Sequence, residues 1–484
     1  MNVLENLEPK KIFGFFEELT RIPRGSGNEK EVSDYLVKFG KDRNLEVIQD
    51  SAYNVIIKKP GTKGYENSPA VILQGHMDIV CEKNQDTVHD FEKDPIKLVI
   101  DGDFIKGSGT TLGADNGVAL AWAMGILDSS DLSHPPIEAL FTTDEEVGMG
   151  GAMALDPKNL SAKRLLNLDV GPEGSFCAGC AGGIRHRVAI KIELAEAQAG
   201  YKAYELKIRG LKGGHSGGLI HMELGNSNKL LGRVLDMINR DCSLAIASVS
   251  GGAKDNAIPR EADALIAVKA DEADKIKAIV AEFDAVFKKE FRVSDPDVSV
   301  TLEEIAMPEK VFTKKVTDAV IKAYMLLPNG VVAKSMDIEG LTETSTNLGV
   351  VITTDSEVVL TNATRSSVPS RRTCIRHQIA MLAELLGADY SEMNEYPAWE
   401  FNPNSHLRDI AVKTYEELTG EKAIVKATHG GLECGVFCDK MPGLDVIAFG
   451  PNAFGAHTPE EKLSISSFAR VWEFIVKLLE NLKD

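Results

Sequence analysis

The sequence has little cysteine, no block of positive charge and no long apolar run. Seven cysteines scattered over 484 residues exclude the paired framework of a small disulfide-stapled domain and suggest reduced thiols. Only Cys177 and Cys180 have the spacing of a redox pair, and with no second such pair they read as structural thiols. The formal net charge is −18. The basic doublets Lys288-Lys289 and Arg371-Arg372 are too short to form the stripe that a nucleic-acid backbone requires. No stretch approaches the ~20 apolar residues of a membrane span, and Met1 to Pro9 lack a basic segment followed by an apolar one. A cytoplasmic protein with no nucleic-acid or membrane partner is therefore expected. Repeats and low-complexity tracts are missing as well.

What is present is an ordinary globular composition, 43% hydrophobic and 26% charged, in a chain longer than one core usually supports. Up to about residue 180 the pattern alternates helices with buried strands. Helical spacing runs from Ile12 to Ile22 and again from near Asn28, and short apolar runs lie at Val71-Leu73, Ala139-Thr142 and Leu165-Leu168. That rhythm predicts an α/β sheet, mostly parallel and flanked by helices, with ligands at the carboxyl ends of its strands. From Arg187 longer alternating strands (Val188-Ile192, Tyr204-Ile208) mix with amphipathic helices near Leu224-Ile238, Ala273-Phe287 and Arg372-Leu386, the texture of an α+β unit. The βα rhythm then returns, with strands near Ala423-Lys426 and Leu444-Ala448 and a terminal helix near Ile465-Leu482. The expected organisation is a catalytic domain over 1–186 and 397–484, split by an inserted domain over 187–396.

Several polar residues sit at the predicted strand ends. His76 and Asp78, two apart after the first buried run, would project to one side of an extended segment, so the carboxylate can orient the imidazole. Taken alone the pair also fits a structural histidine. Asp115, in Gly113-Ala114-Asp115-Asn116-Gly117 ahead of an apolar helix from Val118 to Leu127, by itself reads as a helix cap. Asp144, Glu145 and Glu146 follow a buried strand directly, and three consecutive acids repel one another unless a cation or solvent relieves them. One glutamate can then bind a metal while its neighbour takes a proton. Asp169 ends the next run, where a plain strand-end cap is the alternative, and His457 lies in a turn before the last helix. Together His76, Asp115, Glu146, Asp169 and His457 suffice for two metals about 3.5–4 Å apart if one carboxylate, naturally Asp115, bridges them.

These residues, in this order, resemble the M20 family of co-catalytic metallopeptidases over essentially the whole chain. The form around Asp115, the length and Gly430-Gly431-Leu432-Glu433-Cys434 resemble the aminoacyl-histidine (Xaa-His) dipeptidases of that family. The resemblance implies two divalent ions per chain, zinc first, with manganese or cobalt as alternatives. His76 and Asp169 would bind one and Glu146 and His457 the other, with Asp115 between them. It further implies that Asp78 positions His76, that Glu145 is the general base, and that the inserted domain is a lid. There His215 would steady the oxyanion, while Asn256 and Arg365 would contact a short peptide substrate such as β-Ala-His. Gly430 and Gly431 could present N–H groups to the peptide's carboxylate, or form a plain turn. A homodimer is compatible with the resemblance, in which His215 serves either its own site or the partner's. Many family members carry Lys or Asp where this chain has Asn116.

Other functions fit parts of the pattern. Gly214-His215-Ser216-Gly217-Gly218 matches G-x-S-x-G, with a strand expected before and a helix after, so Ser216 is a candidate serine nucleophile. A metal-dependent scaffold would lack a base, yet Glu145 is present. An aminoacylase, tripeptidase or carboxypeptidase could use the same ions.

Overall fold

Short, continuously apolar segments form strands only where both faces are covered, and this is how the first sheet is built. In the computed structural model, which describes residues 2–483, Val71–His76, Ile137–Thr142 and Arg164–Asn167 are buried along their whole length. They lie side by side and parallel, Val71–His76 in the middle, and Asp445–Ala448 adds a fourth parallel strand beyond Arg164–Asn167. Val55–Lys59 and Glu46–Gln49 continue the sheet antiparallel at one margin, and Ser175–Cys180 and Ile424–Thr428 complete its eight strands at the other. The register places His76 opposite Thr142 and Gln74 opposite Asn167, so three neighbouring strands deliver their carboxyl ends to one edge.

The helix Ala114–Asp128 is apolar on every side and buried from Asn116 to Leu127, as a helix inside a core must be. Trp122 stacks on Phe468 at 5.1 Å and donates its indole N–H to the Phe468 carbonyl at 3.3 Å. The terminal helix Ile465–Asn481 packs with it into one core that also takes in Ile12, Phe13, Phe16, Leu36 and Phe39. Gly75 permits close approach of this helix to the sheet, since a Cβ there would lie 2.3 Å from both Ala119 Cβ and Asn116 Oδ1.

Two units are recognisable. One runs to Cys180 and takes in Phe401–Ala427 and the chain from Leu432; the other is Ala181–Glu400 with Thr428–Gly431. The change expected at Arg187 therefore comes earlier. The strand Gly182–Lys191 begins with two glycines, which carry no side chain to register in an alternating pattern. The return expected at Pro397 comes at Phe401, and the four residues Thr428–Gly431 belong to the second unit. Met1 and Asp484, the outer ends of the expected catalytic segments, lie outside the described residues.

The second unit is built on a nine-stranded sheet in which every described pairing is antiparallel. Strands such as Tyr201–Arg209 and Ala262–Lys269 bury alternate residues. Helices Ser227–Asp241, Ala273–Glu290, Lys314–Leu326 and Pro369–Leu386 join the strands' apolar residues in a second core. Among the described residues no helix is long and apolar enough to cross a membrane. Cys177 and Cys180 are buried in the strand Ser175–Cys180.

Truncating Trp122 would empty the centre of the first core. Trp122→Ala is expected to cost about 3–5 kcal/mol, read as a lower urea midpoint for the transition that exposes this core.

Candidate active site

The carboxyl ends of three adjacent parallel strands form the floor of the site. His76 is the last residue of its strand. Asp169 follows Arg164–Asn167 by two residues, and Glu145 and Glu146 open a four-residue helix just after Ile137–Thr142. Asp115 lies at the start of the buried helix with non-helical angles, φ −83° and ψ 103°, and it is Gly113, at φ +73°, that occupies the cap position. Asp115 is therefore not the plain cap that its position alone suggests. The Asp115–Asn116 peptide is cis. His457 sits in the turn between Ala453–Phe454 and Lys462–Ser464, itself at φ +64°.

These side chains converge. His76 Nε2 lies 3.0 Å from Asp115 Oδ1 and 3.6 Å from Asp169 Oδ1; His457 Nε2 lies 3.3 Å from Asp115 Oδ2 and 3.0 Å from Glu146 Oε1. Asp115 thus shows one oxygen to each imidazole. His76, Asp115 and Glu146 each offer a ligand atom within 4.8 Å of the other two. The side chain of His76 is 1% exposed and that of His457 51%, so the cluster opens toward solvent on the His457 side.

Asp78 proves to bind more than His76. The strand ends at His76 and Asp78 follows it by two residues. The ring's Nδ1 faces the Asp78 backbone carbonyl at 3.1 Å and its carboxylate at 3.4 Å. That carboxylate also accepts the Ser26 hydroxyl at 2.8 Å and the backbone N–H groups of Glu145 and Glu146 at 3.0 and 3.2 Å. It therefore ties the acidic turn to the histidine strand. Asn116 makes a second tie, accepting the His76 N–H at 3.3 Å and donating to the Leu168 carbonyl at 2.9 Å.

The electrostatics are those of acids pressed together. Burial, reinforced by the neighbouring carboxylates of Asp169, Glu146 and Asp115, pushes Glu145 up to about 8. Burial and Asp115 push Asp169 up to about 7. Burial also works against Asp78, but hydrogen bonds from His76, Ser26 and the Glu145 N–H outweigh it and hold that carboxyl at about 2. Asp115 and Glu146 raise His457 to about 10. Burial alone would lower His76, yet Asp169, Asp115 and Asp78 lift it well above its ordinary value. A donor set of three carboxylates and two imidazoles, arranged about one shared aspartate, fits a pair of divalent cations.

Three buried residues escaped the sequence reading. Arg24 donates to the carbonyls of Met77 and Gly113, both at 2.7 Å. Glu461 accepts backbone N–H groups from Leu112 through Asp115. Glu433, of the Gly-Gly-Leu-Glu-Cys stretch, lies under the sheet and accepts from Gln74 at 2.6 Å and Thr142 at 2.8 Å, its carboxyl pushed up to about 8 by burial. A charged residue in a polar stretch looks exposed until the fold closes over it, so no sequence signal marks Arg24 or Glu461, and Glu433 enters only as part of the Gly430-Gly431-Leu432-Glu433-Cys434 stretch.

The second unit holds the remaining candidates. His215 Nδ1 accepts the Gly218 N–H at 3.1 Å, which leaves the proton of the neutral ring on Nε2. Burial and the charges of Arg365 and Arg185 depress its basicity. Gly217 lets His215 and Arg365 approach, since a Cβ there would lie 2.9 Å from His215 Cε1 and 3.3 Å from Arg365 Cζ. Arg365 is 6% exposed and donates to the Tyr396 hydroxyl at 2.8 Å, while its Nε has no hydrogen-bond partner. Asn256 joins this region through its backbone carbonyl, which accepts the Ser216 N–H at 2.8 Å. Of the two glycines expected to offer N–H groups, Gly430 spends its own on Thr428 Oγ1 at 3.1 Å. His429, between that threonine and Gly430, meets Ser345 Oγ at 2.7 Å.

The nucleophile-elbow context for Ser216 is not formed. Gly214–His215 is a two-residue bridge to Ala257–Ile258, and the segment after it is a three-residue 3₁₀ turn, Ile220–Met222. The Ser216 hydroxyl is buried and meets no base.

The profile of peptidase family M20/M25/M40 matches residues 72–481. The chain belongs to this family. It is 38% identical over 482 residues, all of this chain and 99% of the other, to the cytosol non-specific dipeptidase of Escherichia coli K12. It is also 38% identical to aminoacylhistidine dipeptidase from Vibrio alginolyticus, whose crystal structure superposes with a TM-score of 0.93 over 99% of this chain and 97% of that one. An aminopeptidase of Bacillus cereus at 18% identity shares the fold, with a TM-score of 0.54 over 99% of this chain and 100% of its own. Ser216→Ala is expected to retain turnover, whereas removal of a serine nucleophile costs roughly 10⁶ in kcat; initial rates on a dipeptide decide it.

Proposed function

We propose that the protein is a metal-dependent dipeptidase that hydrolyses short peptides, Xaa-His dipeptides such as β-Ala-His among them. The carrying observation is the division of Asp115, one oxygen toward His76 and the other toward His457. In this reading His76 and Asp169 would hold one divalent cation, Glu146 and His457 would hold a second, and Asp115 would serve both. Such ions supply Lewis acidity and make a water acidic enough to attack near neutral pH. The ligand set takes zinc, manganese or cobalt alike.

The chain's own groups then carry the protons. Glu145 lies half-buried beside the ligands without being needed as one, and its affinity for a proton near neutrality suits a group that takes the water's proton and hands it to the leaving amine. Asp78 keeps Glu145 in place through its backbone N–H and steadies the His76 ring. The Nε2–H of His215 is a donor for the oxyanion, and the guanidinium of Arg365 is a partner for the substrate's terminal carboxylate. Asn256 and Gly431 are weaker candidates for substrate contacts. The names of the two relatives at 38% identity, one non-specific and one aminoacylhistidine dipeptidase, support a dipeptide as substrate, and the first supports a cytosolic setting.

Chelation should abolish hydrolysis and added Zn²⁺, Co²⁺ or Mn²⁺ should restore it. Glu145→Ala should retain bound metal while kcat falls about 10²–10⁴-fold. Metal analysis alongside a panel of β-Ala-His, other dipeptides and N-acetylated amino acids tests both statements. Normal turnover by Glu145→Ala would remove the assigned base, and preference for the acylated amino acids would make the enzyme an aminoacylase.

A further inference from the structure

A carboxylate taken out of water is costly unless its lone pairs are met, so a buried glutamate marks a contact around which the fold is arranged. Glu461 is 3% exposed. Its Oε2 accepts the N–H groups of Leu112 and Gly113 at 2.7 and 3.0 Å, and its Oε1 those of Ala114 and Asp115 at 2.8 and 3.2 Å. Successive backbone N–H groups turned to one point make an anion-binding concavity, and here the chain supplies the anion itself. Arg24, 1% exposed, grips the same loop through the Gly113 carbonyl.

Glu461 also closes the turn that carries His457. Its own N–H donates to the Thr458 carbonyl at 3.0 Å, and the Thr458 N–H donates to Gly455 at 3.2 Å. One side chain therefore joins two loops whose contacts lie 346 residues apart in sequence: the loop that ends in Asp115 and the turn with His457 at its tip. His76 and Asp169, by contrast, are held by neighbouring strands of the sheet. The hairpin that carries His457 is also anchored by strand pairing, Lys462–Ser464 against Phe104–Gly107, but Asp115 and His457 both lie outside those paired residues, and the 3.3 Å between Asp115 Oδ2 and His457 Nε2 spans the loops that Glu461 joins.

We infer that Glu461 is a positioning residue that sets the separation of Asp115 and His457, and with it the affinity for the cation assigned to Asp115, Glu146 and His457. The inference rests on the two-cation reading above. In Glu461→Gln the amide nitrogen meets backbone donors in place of an acceptor, so two of the four contacts become repulsive while the side-chain volume is kept. The loss should fall on one cation. The other, close to His76 and Asp169, should keep its affinity.

The test is calorimetric titration of full-length, metal-stripped protein with Zn²⁺, together with kcat and KM at saturating Zn²⁺. Wild type should bind two ions per chain. Glu461→Gln should bind one ion at wild-type affinity and the other about tenfold more weakly or worse, with kcat reduced and KM little changed. Glu138→Gln is the control for a merely structural role. Glu138 is also 3% exposed and accepts the Ser161 and Ala162 N–H groups, but it stands at the opposite end of its strand. Glu138→Gln should lower the melting temperature and leave both ions bound. If Glu461→Gln does not fold, Glu461→Asp, which keeps the charge on a shorter arm, should weaken the same single ion by a smaller factor. Two unchanged affinities in the folded Glu461 variant, or equal weakening in Glu138→Gln, would overturn the inference. Fewer than two ions in wild type would overturn the two-cation reading itself, and the inference with it.

Discussion

Three carboxylates and two imidazoles, linked by imidazole–carboxylate contacts of 3.0–3.6 Å, crowd like charges that repel one another, and the first unit is organised around making the arrangement hold. The cost is met by rigid supports. Parallel strands in fixed register place His76, Thr142 and Asn167 at one edge. Asp78 binds the acidic turn through two backbone N–H groups, and Asn116 stitches one strand end to the next. Preorganisation of this kind lets a site bind cations without rearranging at each turnover.

Beneath the site lies a chain of buried polar side chains. Asn167 donates to Gln74 at 2.6 Å, Gln74 donates to Glu433 at 2.6 Å, and Thr142 donates to Glu433 at 2.8 Å. Strand interiors are ordinarily apolar, and this network is not closed, since Asn167 Oδ1 and Glu433 Oε1 find no hydrogen-bond partner. Gln74 precedes His76 by two residues and so faces the same side of its strand. Holding Gln74 holds the strand end from which the His76 imidazole projects. The departure from the apolar pattern occurs where the chemistry is, as consistency across levels of structure would lead one to expect.

The second unit works by different means. Burial and nearby guanidinium groups lower the basicity of its His215, whose Nδ1 accepts the Gly218 N–H. Arg365 sits beside it with one N–H unspent. A fixed guanidinium charge suits pairing with a carboxylate and offers no lone pair to a metal.

Much of this could be read from the sequence. Continuous apolar runs ending in His76, Glu145-Glu146 and Asp169 announce buried parallel strands with chemistry at their ends, because a strand covered on both faces leaves only its termini for polar groups. The ligand types followed from local chemistry, the choice of Glu145 as base is what the family resemblance implies, and alternation beyond Arg187 announced a sheet of another kind. Tertiary structure alone decided what depends on long-range closure. That Glu461 and Glu433 are buried, that Gly430 has no N–H to spare, and that Ser216 meets no base are properties of partners distant in sequence. So is the split allegiance of Asp115, since the sequence shows a residue's chemistry while only the fold shows which distant atoms come within reach of it.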